Sequence, residues 1–161
     1  LIATSTIPQG SINYLQSLIQ LNIDSRDGFR EAATNLTSDA GGYLFNLFSK
    51  LAREREMQAR ELQSLVMSSN ELPAQTGSLT AAVHRTWMDL REVLGGGEQA
   101  LLEECERGED QIKARYEAAV RDLGACPCTT VLRRHLAAIT ASHDEVRDLR
   151  DRCHRGERCG V

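Results

Sequence analysis

The chain has 161 residues, 19 basic and 23 acidic side chains, a net charge of -4 and only 4% aromatic residues. A chain of this size buries roughly 70% of the surface its unfolded form exposes, enough for one domain with its own core. Its basic residues are interspersed with acids rather than gathered into a stripe, which argues against nucleic acid or an anionic membrane as the partner. No apolar run approaches the roughly 18 residues of a membrane span, and "LIATSTIPQG" lacks the charged and apolar regions of a secretory signal. The expectation is a soluble, cytoplasmic protein that forms a single domain over 1–161, with a bundle core at about 11–153 and flexible ends at 1–10 and 154–161.

With three prolines and no sustained alternation of period two, the composition is all-α. The first helix is predicted from Ser11 to Leu36, because Ile12, Leu15, Ile19, Asn22, Arg26, Phe29, Ala33 and Leu36 recur three and four residues apart. "TSDAGG" interrupts it, and Ser38 or Asp39 can cap the next helix. That second helix runs to about Ser69 along Leu44, Phe48, Leu51, Arg55, Gln58, Leu62 and Leu65. "SSNELPAQTGS" reads as a loop, and a shorter amphipathic helix follows over 78–94, stopped by Gly95, Gly96 and Gly97. Trp87 is expected to anchor this short helix to the bundle. The third long helix spans about Glu98 to Leu123 along Leu102, Cys105, Glu109, Ile112, Tyr116, Ala119 and Leu123. The fourth spans about Thr129 to Cys153 along Leu132, Leu136, Ile139, His143, Val146, Leu149 and Cys153.

Four long helices with one apolar seam each bury those seams most simply against one another. Short turns make helices one and two, and helices three and four, antiparallel neighbours. The long connector between helices two and three can run the length of the bundle, which is the single-crossover, ferritin-like topology with an extra short helix.

The seams are not wholly apolar. Glu109 lies between Cys105 and Ile112, His143 between Ile139 and Val146, and Arg26 and Arg55 fall on the first two seams. Glu103, Glu104, Asp110 and Glu117 lie off the seam and read as a solvated face, with Glu106 beside the seam. The two halves echo each other: "GFREAA" and "ARYEAA" align Phe29 with Tyr116, and seven residues before each lie Asn22 and Glu109, two helical turns away.

A carboxylate on a seam must be compensated, since burying a lone charge costs several kcal/mol. One reading is a metal-free polar layer of Asn22, Arg26, Arg55, Glu109 and His143, with Glu109 neutralised by Arg55 or Arg26 through charge-assisted hydrogen bonds. The other is a metal held by Glu109 and His143, with Glu106. A di-metal site of the ferritin-like kind needs a Glu from each of two helices and a Glu-x-x-His from each of the others. Here Asn22 stands at the helix-one position, helix two has no Glu-x-x-His, and Thr140 lies three residues before His143. Seam arginines also repel a divalent cation, which favours the metal-free layer. His84 and His135 read as surface or capping residues, and no nucleophile motif or phosphate loop stands out.

The five cysteines are an odd number in a chain that needs no staples, and suggest free thiols in a reducing compartment. Cys126 and Cys128 flank Pro127, a spacing at which a bridge would be strained, so two unlinked thiols in a loop are expected. Cys153 and Cys159 bracket His154 in what reads as a frayed polar tail. The fourth helix separates the two pairs by roughly 36 Å, so one site does not use all four.

The segments "GFREAA" (28–33), "ELQSLV" (61–66), "HRTWMDLR" (84–91), "ECERGED" (104–110) and "HDEVRDLRD" (143–151) together resemble a bacterial, ferritin-like domain family of unknown function often linked with stress-response gene sets. The resemblance runs from about Ser11 to Asp151. It implies a ferritin-like bundle with an inserted connector helix and brings no known activity. The iron ligands of the wider rubrerythrin and ferritin relatives match only at Glu109, with Tyr116 seven residues on, and at His143. The resulting expectation is a non-catalytic, stress-associated homodimer without a cofactor, its protein partner not specified. The alternative is an iron- or manganese-binding ferritin-like oxidoreductase with a reduced ligand set.

Overall fold

In a computed structural model, residues 7–36, 41–78 and 97–157 are described. Four helices account for most of them: α1 Gln9–Asn35, α2 Gly41–Ser68, α3 Glu98–Leu123 and α4 Thr129–His154. The short helix expected over 78–94, with His84 and Trp87, falls almost wholly outside the described residues, as do the capping candidates Ser38 and Asp39 and the residue Cys159.

Helix α1 starts two residues earlier than its seam requires. Pro8 occupies the position before the helix, where a missing N–H costs nothing, and its carbonyl accepts from the Ile12 amide at 3.0 Å. α2 stops in a Schellman turn: the Asn70 amide donates to the Met67 carbonyl at 3.0 Å, the Glu71 amide to the Val66 carbonyl at 3.3 Å, and Asn70 takes the left-handed conformation. α4 ends the same way, with Gly156 in the left-handed position and Gly156 and Glu157 donating to Cys153 and Arg152. The first residues of the polar tail thus carry a hydrogen-bonded helix stop up to Glu157.

Two apolar clusters make up the core. One gathers the start of α1, the ends of α2 and α3 and the start of α4, with Leu15, Ile19, Leu62, Val66, Tyr116, Ala119, Cys128 and Leu132 fully buried. The other gathers the opposite ends of the same helices around Phe29, Leu44, Phe48, Leu51, Leu102, Cys105 and Val146. Phe29 and Phe48 stack there at a centroid distance of 6.0 Å. Cluster membership gives the directions: α1 and α4 run one way, α2 and α3 the other. α1 packs chiefly along α2, and α3 along α4.

Side-chain contacts close the ring. Tyr14 on α1 donates to Asp122 on α3 at 2.7 Å, and Lys50 on α2 pairs with Glu145 on α4. The circuit is thus α1, α2, α4, α3, with every neighbour antiparallel. α2 and α3 sit on a diagonal and are parallel, so the connection of residues 69–97 must travel the length of the bundle. Its first part is tied down. Gln16 donates to the Leu72 carbonyl and accepts from the Ala74 amide, both at 2.7 Å, and Gln63 donates to the Ala74 carbonyl at 2.8 Å. Asp24 then accepts from the amide and hydroxyl of Ser78 at 3.0 and 2.6 Å.

This strap needs a glycine. A Cβ at position 77 would collide with the Asp24 carboxylate, which the Ser78 bonds hold in place. Gly77→Ala should therefore destabilise the chain by about 1–3 kcal/mol in urea unfolding, the usual cost of overpacking. The loss should shrink to a few tenths in an Asp24→Ala background, and equal losses in both backgrounds would show that the strap does not depend on this approach.

Candidate functional site

Between the two apolar clusters, one layer of the bundle is polar. α2 contributes Arg55 and Gln58, α3 Glu109, α4 Ser142 and His143, and α1 Ser25, all of them buried. Arg55 has no exposed side-chain surface and Glu109 1%. Nη2 of Arg55 donates to both oxygens of Glu109, at 2.7 and 2.6 Å, and Nη1 donates to Oε1 of Gln58 at 2.7 Å. The guanidinium thus reaches across the diagonal from α2 to α3. Its Nε has no hydrogen-bond partner among the described residues. Burial pushes the Glu109 carboxyl up from the ordinary carboxylate range, against the opposing pull of Arg55. One turn away, burial also drives the Cys105 thiol well up.

Arg26 does not take part in neutralising Glu109. It lies on the predicted seam of α1, but at the edge of that seam its long side chain turns outward. It meets Asp27 at 2.7 Å and Glu56 at 2.9 Å, and Arg30 joins Glu56 at 3.2 Å. His143 also stays apart from Glu109. Its Nε2 lies 2.8 Å from Asp110 and its Nδ1 3.2 Å from Asp144, so Asp110, expected on the solvated face, is engaged from α4. Glu106 pairs with Arg150. Glu104, also expected to be solvated, keeps only 10% of its side chain exposed and pairs with Arg107 at 2.6 Å. Glu109, His143 and Glu106 therefore each have a different partner, and the described residues contain no group of three or more His, Cys, Asp or Glu side chains placed to hold a metal.

A second polar system starts at Asn22, on the side of the layer toward the first cluster. Asn22 Nδ2 donates to the Leu18 carbonyl at 2.8 Å and to the Tyr116 hydroxyl at 2.7 Å. That hydroxyl lies 3.2 Å from His135 Nδ1, and His135 Nε2 lies 2.8 Å from Glu61, which Arg134 also engages. One proton arrangement satisfies every link from Asn22 to Glu61: Asn22 donates to Tyr116, Tyr116 to Nδ1 of a neutral imidazole, and its Nε2–H to the Glu61 carboxylate, while Oδ1 of Asn22 is buried without a partner among the described residues. Burial drives the Tyr116 phenol well above its ordinary value, keeping the O–H a donor. Burial likewise lowers the His135 pKa, while the His135 hydrogen bond holds the Glu61 carboxyl below its usual range.

His135 is thus a buried bridging residue rather than a surface or capping one. The signal was present: 135 and 136 both lie at seam spacing between Leu132 and Ile139, and the structure buries His135 while Leu136 is half-buried. Gln58 was legible as a seam residue, but its bond to Arg55 was not. At the α3–α4 turn the sulfurs of Cys126 and Cys128 are paired, which corrects the expectation of two unlinked thiols; the pairing is reached within a turn whose Cα atoms stand 5.2 Å apart. Among the described residues the free cysteine is Cys105.

Residues 11–122 match the family described as "Domain of unknown function (DUF2383)". The chain belongs to this family. The DUF2383 match takes in α1, α2, the long connection and nearly all of α3, and with them Asn22, Arg55, Glu109 and Tyr116. It ends before α4, short of the Asp151 expected from the resemblance. His135, His143 and the cysteine pair lie beyond it. No match is found among curated proteins.

Removing one partner of the buried pair should cost more than removing both. Glu109→Gln or Arg55→Met alone should lose roughly 3–5 kcal/mol, with part of the loss recovered in the double variant. For a carboxyl whose folded-state pKa is raised, stability is present below the ordinary carboxylate pKa and lost as pH rises through the folded value. Arg55→Met should therefore lose stability more steeply than the parent chain on going from acid toward neutral pH. Strictly additive losses in urea would reject the pair.

The second system has the opposite sign. His135 and Glu61 both titrate below their ordinary values in the fold, so their contributions are present at neutral pH and fade as pH falls through the depressed folded values. Between the ordinary histidine pKa near 6.5 and the lower folded values, His135→Gln should flatten the decline of stability with acid. A slope identical to that of the parent chain would show that His135 does not couple folding to protons.

Proposed function

We propose that the chain is a non-catalytic, ferritin-like bundle of bacterial, stress-associated type, in which a charged polar layer replaces a di-metal centre and fixes the register of the helices. The observation that carries this reading is the single guanidinium nitrogen of Arg55 within 2.7 Å of both Glu109 oxygens. It puts a fixed positive charge against the carboxylate a metal would need. On α2 the pair Arg55 and Gln58 stands at the i,i+3 spacing where a di-metal bundle carries Glu-x-x-His, and Asn22 on α1 uses its amide as a donor. The parallel diagonal helices and the long connection between them also support the ferritin-like assignment.

On this reading the protein needs no cofactor. It works in the cytoplasm, in keeping with the absence, among the described residues, of a helix long and apolar enough to cross a membrane. It pairs with a second copy, for which α2 leaves Phe45, Met57 and Met67 exposed, and closed two-fold pairing is the commonest route to a homo-oligomer. The competing reading is an iron- or manganese-binding oxidoreductase with a reduced ligand set. Native mass spectrometry of the full chain after aerobic loading with ferrous or manganous ion tests both parts. The expected mass is that of two chains without stoichiometric metal. Bound metal released by Glu109→Gln would establish the competing reading, and a monomer at every concentration would reject the pairing.

A further inference from the structure

We propose that Cys126 and Cys128, in the turn between α3 and α4, form a thiol–disulfide exchange centre whose substrate is an external thiol. The pair closes a ring across the single residue Pro127, so it constrains almost none of the unfolded chain. A disulfide stabilises by constraining that chain, and by less the shorter its loop. A structural staple is therefore the function this pair serves worst.

The geometry of the turn separates the two sulfurs by role. Cys126 is partly exposed between the exposed Ala125 and Pro127, whereas Cys128 is buried in the core among the residues that include Ala119 and Leu132. Cys126 packs against the first cluster yet is the only member of the pair with exposed surface, so it is the one an incoming thiolate meets first; the Cys128 amide donates to its Sγ at 3.4 Å. Cys128 then departs from the amino end of α4. It stands immediately before Thr129, the first residue of that helix, and no side chain caps the helix start. Its carbonyl already accepts from the Leu132 amide at 3.1 Å, which keeps the residue in place whichever way its sulfur is bonded. The Thr129 hydroxyl beside it is buried without a hydrogen-bond partner among the described residues. A thiolate leaving at a helix amino terminus meets the positive end of the peptide dipoles, which stabilise it.

The chemistry balances without another reactant. The first thiolate attacks Cys126 Sγ and forms a mixed disulfide. The Cys126–Cys128 bond breaks, and Cys128 leaves as thiolate and takes up a proton. A second thiolate attacks the substrate sulfur of the mixed disulfide and releases Cys126. Two thiols are oxidised to one disulfide, and the protein pair is reduced by two electrons to a dithiol; the reverse direction reduces a disulfide. This activity goes beyond the register-fixing function proposed above and depends on neither the buried ion pair nor the absence of metal.

Glutathione is the probe. The full-length chain is equilibrated in buffers of graded reduced-to-oxidised glutathione ratio, quenched with a maleimide and mapped by peptide mass. Cys126 and Cys128 should pass together from paired to free within the series and return on reversal. Cys128→Ser should accumulate glutathione on Cys126, at least about ten times as much as Cys126→Ser accumulates on Cys128. A pair that stays free, or stays bonded, across the whole series would overturn the proposal, as would equal adducts on the two variants. Should either variant lose its far-ultraviolet helix signal, the titration of the unaltered chain decides alone.

Discussion

The structure depends on one buried charge pair held across a diagonal. Apolar seams alone leave helix register weakly defined, because a seam shifted by a turn still meets apolar side chains. Arg55 and Glu109 remove that freedom. Their burial costs several kcal/mol per charge and is compensated only when the guanidinium meets the carboxylate. A slip of one turn between α2 and α3 would leave both charges in the core without partners. The pair sits between the two apolar clusters, so it fixes the position of each cluster relative to the other and thereby the level at which all four helices meet.

Around this pair, the ion pairs nearer the surface follow the order of the helices. Glu56 gathers Arg26 and Arg30 from α1 and Arg60 from its own helix, Glu61 meets Arg134 from α4, and Arg150 reaches Glu106 on α3. Exposed ion pairs of this kind contribute at most about 1 kcal/mol each, so they discriminate between neighbours more than they hold the bundle together. The antiparallel order they accompany has a topological consequence. It leaves the parallel helices α2 and α3 to be joined by a connection running the full length of the molecule, whose first residues are strapped to Gln16 and Asp24.

The two polar systems of the core differ in their relation to solvent. The Arg55 and Glu109 pair is buried on both sides, so the protonation of Glu109 responds first to burial and to Arg55, and after them to the nearby Glu54 and His143. The line from Asn22 through Tyr116 and His135 ends at Glu61, whose side chain is 37% exposed, and so connects the core to water. Neutral groups suit its two middle members, because Tyr116 and His135 each receive one hydrogen bond and give one. Its orientation follows from the Asn22 amide at one end and the Glu61 carboxylate at the other.

Among the described residues, the order of the four long helices and their bounds to within two residues were determined by the sequence itself, since the three- and four-residue recurrence of apolar side chains and the turn-forming stretches between them are local properties. α3 coincides with the spacing-based expectation, and α4 differs by one residue. The same periodicity placed Glu109 and Arg55 inside. What periodicity cannot carry is the choice among partners on other helices. The side of the seam to which Arg26 turns, the selection of His135 over Leu136, the attachment of His143 to Asp110 and the pairing of Cys126 with Cys128 all depend on distances of a few ångströms between groups on separate turns or helices. A seam residue at its edge can point inward or outward with the same sequence spacing, and only the packing of the neighbouring helix decides which.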